Sequence, residues 1–463
     1  MSDRPVIDRP FIDRPFIDRQ RLADLRAAEE QRFIDTHPRS AELAEEARGS
    51  LLAGVPMPWM TRWPGSFPLF VDQAVGARFT DVDGIEYVDL CLGDTGAMTG
   101  HAMPSVRKAI DERAERGITT MLPSSDAAWV GAELARRFGV PRWQFAMTAT
   151  DANRFVLRFC RYLTGRSKIA VMDWCYHGTV DETLAVLSED GAVIPRPGAL
   201  GPQAPVDLTT RVVPFNDLDA LDAALAHGDV ACLLMEPALT NIGIVLPDEG
   251  YLDAVREITR RHGVYLVNDE THTLCAGPGG ATAYWSLEPD FVVIGKPIGG
   301  GIPVAAYGMT QEIADLLDKP MLGHEIDVAG VGGTLTGSPL ALAATRACLT
   351  NALRQEDFDV AIPLAERFTA GVAGAIEAYD LPWHVQRLGC RAEYWFCPPP
   401  RTGAEAAAAI DEELDGFMHL WSLNRGILLA PFHNMALFAP SHSEADVDHH
   451  TAVFTEALAA LRA

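Results

Sequence analysis

The sequence predicts an α/β fold, and three observations carry the prediction. Between Pro104 and Leu335, apolar runs of strand character alternate with helical patterns, the arrangement of a mostly parallel sheet covered on both faces. The 463 residues are 48% hydrophobic and 22% charged, enough to bury a large core and to hold more than one structural unit. Two of the apolar runs, Val264-Tyr-Leu-Val-Asn-Asp269-Glu270 and Asp290-Phe-Val-Val-Ile-Gly-Lys296, end in an acid and an amine. The carboxyl ends of strands are where an open α/β sheet binds its ligands.

In chain order, residues 1–19 carry Ile-Asp-Arg-Pro-Phe units at a five-residue period. A proline in every unit excludes a regular helix, so an irregular arm is expected, disordered or lying across a neighbouring subunit. Over 20–34, Leu22, Leu25 and Phe33 recur among charged residues at helical spacing, and a second short helix follows Ser40. A turn-rich segment with Trp59 and Trp63 leads to a hairpin over 77–90 around Asp83-Gly84. Sheet strands are expected at 169–173, 211–214, 230–235, 265–268 and 291–294, with a helix over 251–261 between two of them. A helix from Pro339 through Arg354 and a closing helix near 446–461 belong to a smaller α/β unit. The expected division is an N-terminal arm with helices over 1–50, the first part of a small domain over 51–103, a large domain over 104–338 and the rest of the small domain over 339–463.

Composition removes several functions. With a formal charge of −25 and no lysine or arginine cluster, the chain lacks the basic face that a nucleic-acid partner requires. No apolar stretch is long enough to cross a bilayer, and the Asp- and Arg-rich N-terminus lacks the apolar core of a secretion signal. The eight cysteines, at 91, 160, 175, 232, 275, 348, 390 and 397, show neither a CxxC pair nor zinc-like spacing, so no metal site is expected. They read as reduced core residues of a cytoplasmic protein.

The chemistry lies in Asp269 and Lys296. A lysine can form a Schiff base with an aldehyde cofactor, and a buried aspartate can keep a pyridine nitrogen protonated so that the ring accepts electrons. Three successive glycines, Gly299 to Gly301, let backbone approach a ligand closely. All of this suits pyridoxal phosphate.

The stretch Asp269-Glu270, a variable connector and Gly295-Lys296-Pro-Ile-Gly-Gly-Gly-Ile-Pro303 resembles the lysine region of the class III, fold type I aminotransferases. It is most similar to the glutamate-1-semialdehyde aminomutase branch, and the likeness runs from about Gly54 to the C-terminus. The resemblance implies a large domain with a mostly parallel seven-stranded sheet, pyridoxal 5′-phosphate as cofactor, and a homodimer with shared active sites. It implies Lys296 as the catalytic residue, carrying the cofactor and then moving a proton as general base, and Asp269 as the partner of the pyridine nitrogen. Thr148-Ala149-Thr150-Asp151-Ala152 stands where the family has Ser-Gly-Thr-Glu-Ala, at a helix N-terminus fit for the cofactor phosphate. Tyr176, followed by His177 and Gly178, is implied to stack on the ring. Glu236 is expected to support Asp269, and Thr334 to reach the phosphate held by the partner subunit.

The substrate side departs from the family. Aligned on Phe67-Pro68-Leu69, Trp59 falls near the arginine with which amino-acid-specific members clamp a carboxylate, with Arg62 three residues on. After Ala430-Pro431-Phe432-His433-Asn434, Met435 stands where the aminomutases carry an acid. With Thr95 these residues are the candidate pocket, and the loss of two ionic handles predicts a bulky hydrophobic amine or aryl amino acid as substrate. The leading function is an aminotransferase acting between an amine or amino acid and a keto acid, ketone or aldehyde. An aminomutase or racemase, which needs no acceptor, is the second, and a catalytically silent binding protein, against which Asp269 and Lys296 weigh, is the third.

Overall fold

A computed structural model describes residues 16–201 and 204–462. All but the last residues of the five-residue repeat lie outside this range. The chain forms two compact units, one from Met103–Phe358 with Arg401–Ala404, the other from the segments before and after.

The larger unit is built on seven strands in the spatial order Arg142–Ala146, Ala305–Met309, Phe291–Ile294, Tyr265–Asp269, Val230–Met235, Lys168–Met172 and Thr210–Val213. Ala305–Met309 runs antiparallel to both neighbours, and every other pairing is parallel. All six residues of Val230–Met235 and all four of Phe291–Ile294 are buried, as strands covered on both faces must be. The five expected strands all form within a residue or two of their expected ends. The two that were not foreseen carry weaker patterns. Arg142–Ala146 is an edge strand with Arg142 and Gln144 exposed, and Ala305–Met309 is short and rich in small residues.

The helix Ala149–Thr164 starts at Thr148, whose side chain accepts from Asp151 N, and buries Ala152, Asn153, Phe155, Val156 and Phe159. Helix Tyr251–His262 ends at Gly263 in the left-handed conformation. Helix Pro339–Asn351 packs against Pro104–Ala114 and Asp126–Phe138 and so belongs to the larger unit. The C-terminal piece of the smaller unit, expected from 339, begins after Phe358.

In the smaller unit, Asp18 caps helix Arg19–Thr36 by accepting from the N–H groups of Gln20 and Arg21. That helix lies on Glu412–Leu423, and Phe33, Phe79, Tyr87, Leu420 and Leu423 form a buried cluster. The second helix, Pro38–Arg48, starts ahead of Ser40 with proline at its first turn. The hairpin Arg78–Asp81 and Glu86–Asp89 forms at the expected Asp-Gly turn, which Asp81 Oδ1 closes by accepting from Asp83 N and Ile85 N. A second sheet orders His384–Leu388, Arg391–Trp395 and Met435–Leu437, all antiparallel, and Glu444–Arg462 closes the chain. All eight cysteines are buried free thiols. Among the described residues no helix is long and apolar enough to cross a membrane.

Candidate active site

Three strand ends and one helix end of the larger unit bring the polar groups together. Lys296 follows Phe291–Ile294 after one glycine and has φ 45°, a left-handed backbone that costs a lysine about 1–3 kcal/mol and persists only where the surroundings hold it. A Cβ at Gly295 would come within 3.0 Å of Ala149 Cβ and 3.3 Å of Ala149 N, so glycine is what lets the lysine turn lie against the start of helix Ala149–Thr164. The same helix end holds the loop of Tyr176, His177 and Gly178. Thr150 Oγ1 accepts from Thr179 N at 3.0 Å, Asn153 Nδ2 donates to His177 O at 3.1 Å, and a Cβ at Gly178, φ +81°, would overlap Thr150.

Asp269 ends its strand fully buried. Its Oδ2 accepts from His177 Nδ1 and from Asn153 Nδ2, both at 2.9 Å, and its Oδ1 from Thr271 N at 3.1 Å. Burial pushes the carboxyl up, but the hydrogen bond and charge of His177, with Thr271 and Asn153, hold it down at about 2. His177 is raised well above its ordinary 6.5; burial opposes this, and Cys175 with the Asp269 carboxylate drives it. A carboxylate offers about four acceptor positions, of which three are filled, so Asp269 keeps room for one more donor.

Glu236 does not support Asp269. Its Oε1 accepts from Asn241 Nδ2 at 2.7 Å, its Oε2 from the Thr240 hydroxyl, and Oε2 lies 3.7 Å from His272 Nδ1. The turn after Val230–Met235 carries the carboxylate toward 240–241 and His272 instead. The side-chain partners of Asp269 are Asn153 and His177, not Glu236. His272 lies 2.5 Å from Lys296 Nζ, and its one signal in the sequence is its place three residues after Asp269.

At the helix start the Thr148 hydroxyl is committed to Asp151, donating to Oδ2 at 2.9 Å and accepting from N at 3.2 Å. The first-turn N–H groups of Ala149 and Thr150 have no intrahelical partner, as helix geometry dictates. Tyr176 is half-buried, and Thr334 is exposed in the loop ahead of Pro339–Asn351.

The substrate-side candidates all belong to the smaller unit. Trp59 meets Phe432 edge-on, ring centroids 5.6 Å apart, and Arg62 is exposed. Thr95, φ 79°, is buried with its hydroxyl lacking a hydrogen-bond partner among the described residues. His433 and Met435 are buried. Met435 pairs directly with Glu393 on the neighbouring strand, so the two side chains share a face of the sheet. Glu393 is buried 3.3 Å from His433 Nδ1 and 3.6 Å from Arg391 Nη2, ion-pair distances without hydrogen-bond alignment, and Arg391 is itself wholly buried.

A group with an aldehyde, a pyridine nitrogen and a phosphate fits the larger unit. The amine is Lys296, the acid with a spare acceptor position is Asp269, and the glycine-permitted approach of the lysine turn to the start of helix Ala149–Thr164 sets an anion-binding helix end beside them.

The sequence pattern of the family described as aminotransferase class-III matches residues 59–441. A glutamate-1-semialdehyde 2,1-aminomutase of Exiguobacterium sibiricum is 33% identical over 389 residues, covering 83% of this chain and 88% of its own. The crystal structure of a glutamate-1-semialdehyde aminomutase from Pseudomonas aeruginosa superposes with a TM-score of 0.94 at 48% identity, covering 96% of this chain and 99% of that one, and a variant of it is known in complex with PMP. An omega-transaminase from Sphaerobacter thermophilus follows at a TM-score of 0.84 and 25% identity, covering 92% and 98%. With the fold, the lysine and the acid in place, the chain belongs to the class III aminotransferase family.

Proposed function

We propose that this enzyme moves an amino group on pyridoxal 5′-phosphate carried by Lys296. The observation that carries the reading is the setting of Lys296 and the buried, ionised Asp269 at adjacent parallel strand ends. When bound, the cofactor supplies an aldehyde that captures amines and a ring that withdraws electrons. The chain's residues do the rest. Lys296 carries the aldehyde carbon and, once released, holds and moves the proton of the substrate carbon. Asp269, kept ionised by His177 and Asn153, accepts from the pyridine N–H. Ala149 and Thr150 would present helix N–H groups to the phosphate, and Tyr176 would cover one ring face. Thr334 is proposed to complete the phosphate site of a partner subunit in a homodimer; its exposure, with that of Leu335 beside it, supports this.

Trp59, Arg62, Thr95, His433 and Met435 are proposed as substrate-side residues. The buried Arg391 and Glu393 beside Met435 and His433 favour a substrate with polar or charged groups over the wholly apolar amine expected from Met435 alone. Transfer between a separate donor and acceptor is the leading reading. Internal exchange by an aminomutase is the second, favoured by the names of the relatives. The test follows the visible spectrum of the purified enzyme while amines with and without carboxylates are added singly, then supplies a carbonyl acceptor. Conversion by one class of donor, with turnover only when acceptor is present, is expected. Full turnover of glutamate-1-semialdehyde without any acceptor would select the aminomutase.

A further inference from the structure

Helix Ala149–Thr164 carries Arg154, Arg158 and Arg161 at spacings of four and three, so the three guanidinium groups share one face. With Leu157, Asp181 and Glu182 they line a cavity of about 510 Å³, inside the range of about 300–1,000 Å³ that small-molecule sites span. None of these six residues belongs to the cofactor or substrate groups described above. Each guanidinium is held at the cavity wall. Arg154 Nη2 donates to Thr179 O at 2.9 Å, and Arg161 donates from Nε to Ser167 O and from Nη1 to Glu182 Oε1, both at 3.0 Å. Arg158 is clasped by the turn Val328–Gly330: a Cβ at Gly330 would lie 3.1 Å from its Nη1, 3.4 Å from Cζ and 3.5 Å from Cδ.

The charges do not close among themselves. Arg161 and Glu182 neutralise one another. Arg154 and Arg158 make no ion pair among the described residues, and Asp181 makes neither an ion pair nor a side-chain hydrogen bond there. Two cations four residues apart on a helix repel, so the fold gains nothing from keeping both. Lone charges in solvent are ordinary, but here two cations and an anion are gathered at one cavity, with both cations anchored in place.

We propose that this cavity binds an acidic α-amino acid, of the size of aspartate or glutamate. The uncompensated set is two cations and one anion, and its complement is two carboxylates and one ammonium. Cβ atoms four residues apart on a helix stand about 5–6 Å apart, a separation that the two carboxylates of a short diacid match. A guanidinium receives a carboxylate through two parallel N–H bonds. Arg154 and Arg158 take the carboxylates, Asp181 accepts from the ammonium, and Leu157 gives the methylenes an apolar wall. Because the guanidinium groups are already anchored, little ordering is left to oppose binding. A plain diacid would leave Asp181 unanswered, and a neutral amino acid would leave one arginine so.

The test uses the holoenzyme in its aminated form, whose cofactor has no aldehyde to capture an amino acid. The heat of binding is measured for L-glutamate, for glutarate, which has both carboxylates and no ammonium, and for inorganic phosphate at matched ionic strength. L-Glutamate is expected to bind about tenfold or more tightly than either of the others. Arg158→Gln is expected to weaken L-glutamate by about tenfold or more, and Asp181→Asn to bring it down to the affinity of glutarate. Arg154→Gln takes the place of Arg158→Gln, with the same expectation, should that variant not fold. No binding of L-glutamate, equal binding of phosphate, or L-glutamate binding that neither substitution alters would overturn the proposal. The site does not rest on the cofactor. A protein without a visible band is titrated in the same way, so failure of the lysine reading leaves this result to stand or fall by itself.

Discussion

Asp269→Asn keeps the size of the side chain and removes the charge that Asn153, His177 and the Thr271 N–H answer. An amide has one acceptor oxygen, and its NH2 then faces donors, so at least one buried N–H is left without a partner. The depression of the carboxyl from 3.8 to about 2 corresponds to about 2.5 kcal/mol, and removing one member of a buried ion pair costs about 3–5 kcal/mol. The pH dependence has two signs. The folded value of Asp269 lies below its unfolded one, so its contribution is present above about 3.8 and is lost as pH falls toward about 2. The folded value of His177 lies above 6.5, so its contribution is complete below 6.5 and is lost as pH rises through the folded value. The pair therefore stabilises most between about pH 4 and 6.5. Denaturant unfolding of the cofactor-free proteins near pH 5.5 should show the variant less stable by about 3 kcal/mol, with the gap narrowing toward about pH 2 and again as pH rises above 6.5 through the raised value of His177. Equal midpoints near pH 5.5, or a gap independent of pH, would refute the ion-pair account.

Three further outcomes are expected. Gly178→Ala places a methyl group onto Thr150 in a backbone with φ +81°, so a loss of about 1–3 kcal/mol and weaker cofactor retention are expected; unchanged melting and unchanged retention would remove the packing argument. Thr334→Val should leave the melting temperature and oligomeric state unaltered while raising the Kd for pyridoxal 5′-phosphate, and an unaltered Kd would take Thr334 out of the site. Asp415 is pushed up by burial to about 7, so its ionisation destabilises the fold progressively between about pH 3.8 and 7. Asp415→Asn, with the amide oxygen still accepting from Asn434 Nδ2, should therefore be more stable than wild type near pH 8 and show no advantage near pH 4.

What was legible in the sequence was what is local. Val230–Met235 and Phe291–Ile294 declare themselves because a strand buried on both faces is apolar on successive residues. Arg142–Ala146 does not, because an edge strand alternates and offers only a few residues to read. Asp269 and Lys296 were legible because the residue type and strand-end position suffice to suggest the chemistry. Asn153 and His272 were not, since their meaning comes from partners 116 and 24 residues away. Glu236 shows the intermediate case: its strand neighbours that of Asp269, which made support plausible, but the turn that follows aims the carboxylate at Thr240 and Asn241.

Met435 carries the same lesson to the substrate side. An acid lost from one position of a linear alignment suggests a discharged pocket, yet the cross-strand partner of that position is Glu393, with Arg391 two residues along the same face. Reading one position at a time cannot see which residue stands opposite it on the neighbouring strand. A buried ion pair is also weak evidence for stability, since apolar residues of similar volume often serve at least as well as Arg391 and Glu393 would. His433, with Nδ1 3.3 Å from Glu393 Oε1, links the pair to a residue already expected to meet substrate. The polar substrate proposed above takes in all three residues, because the register of Arg391–Trp395 against Met435–Leu437 sets Glu393 opposite Met435.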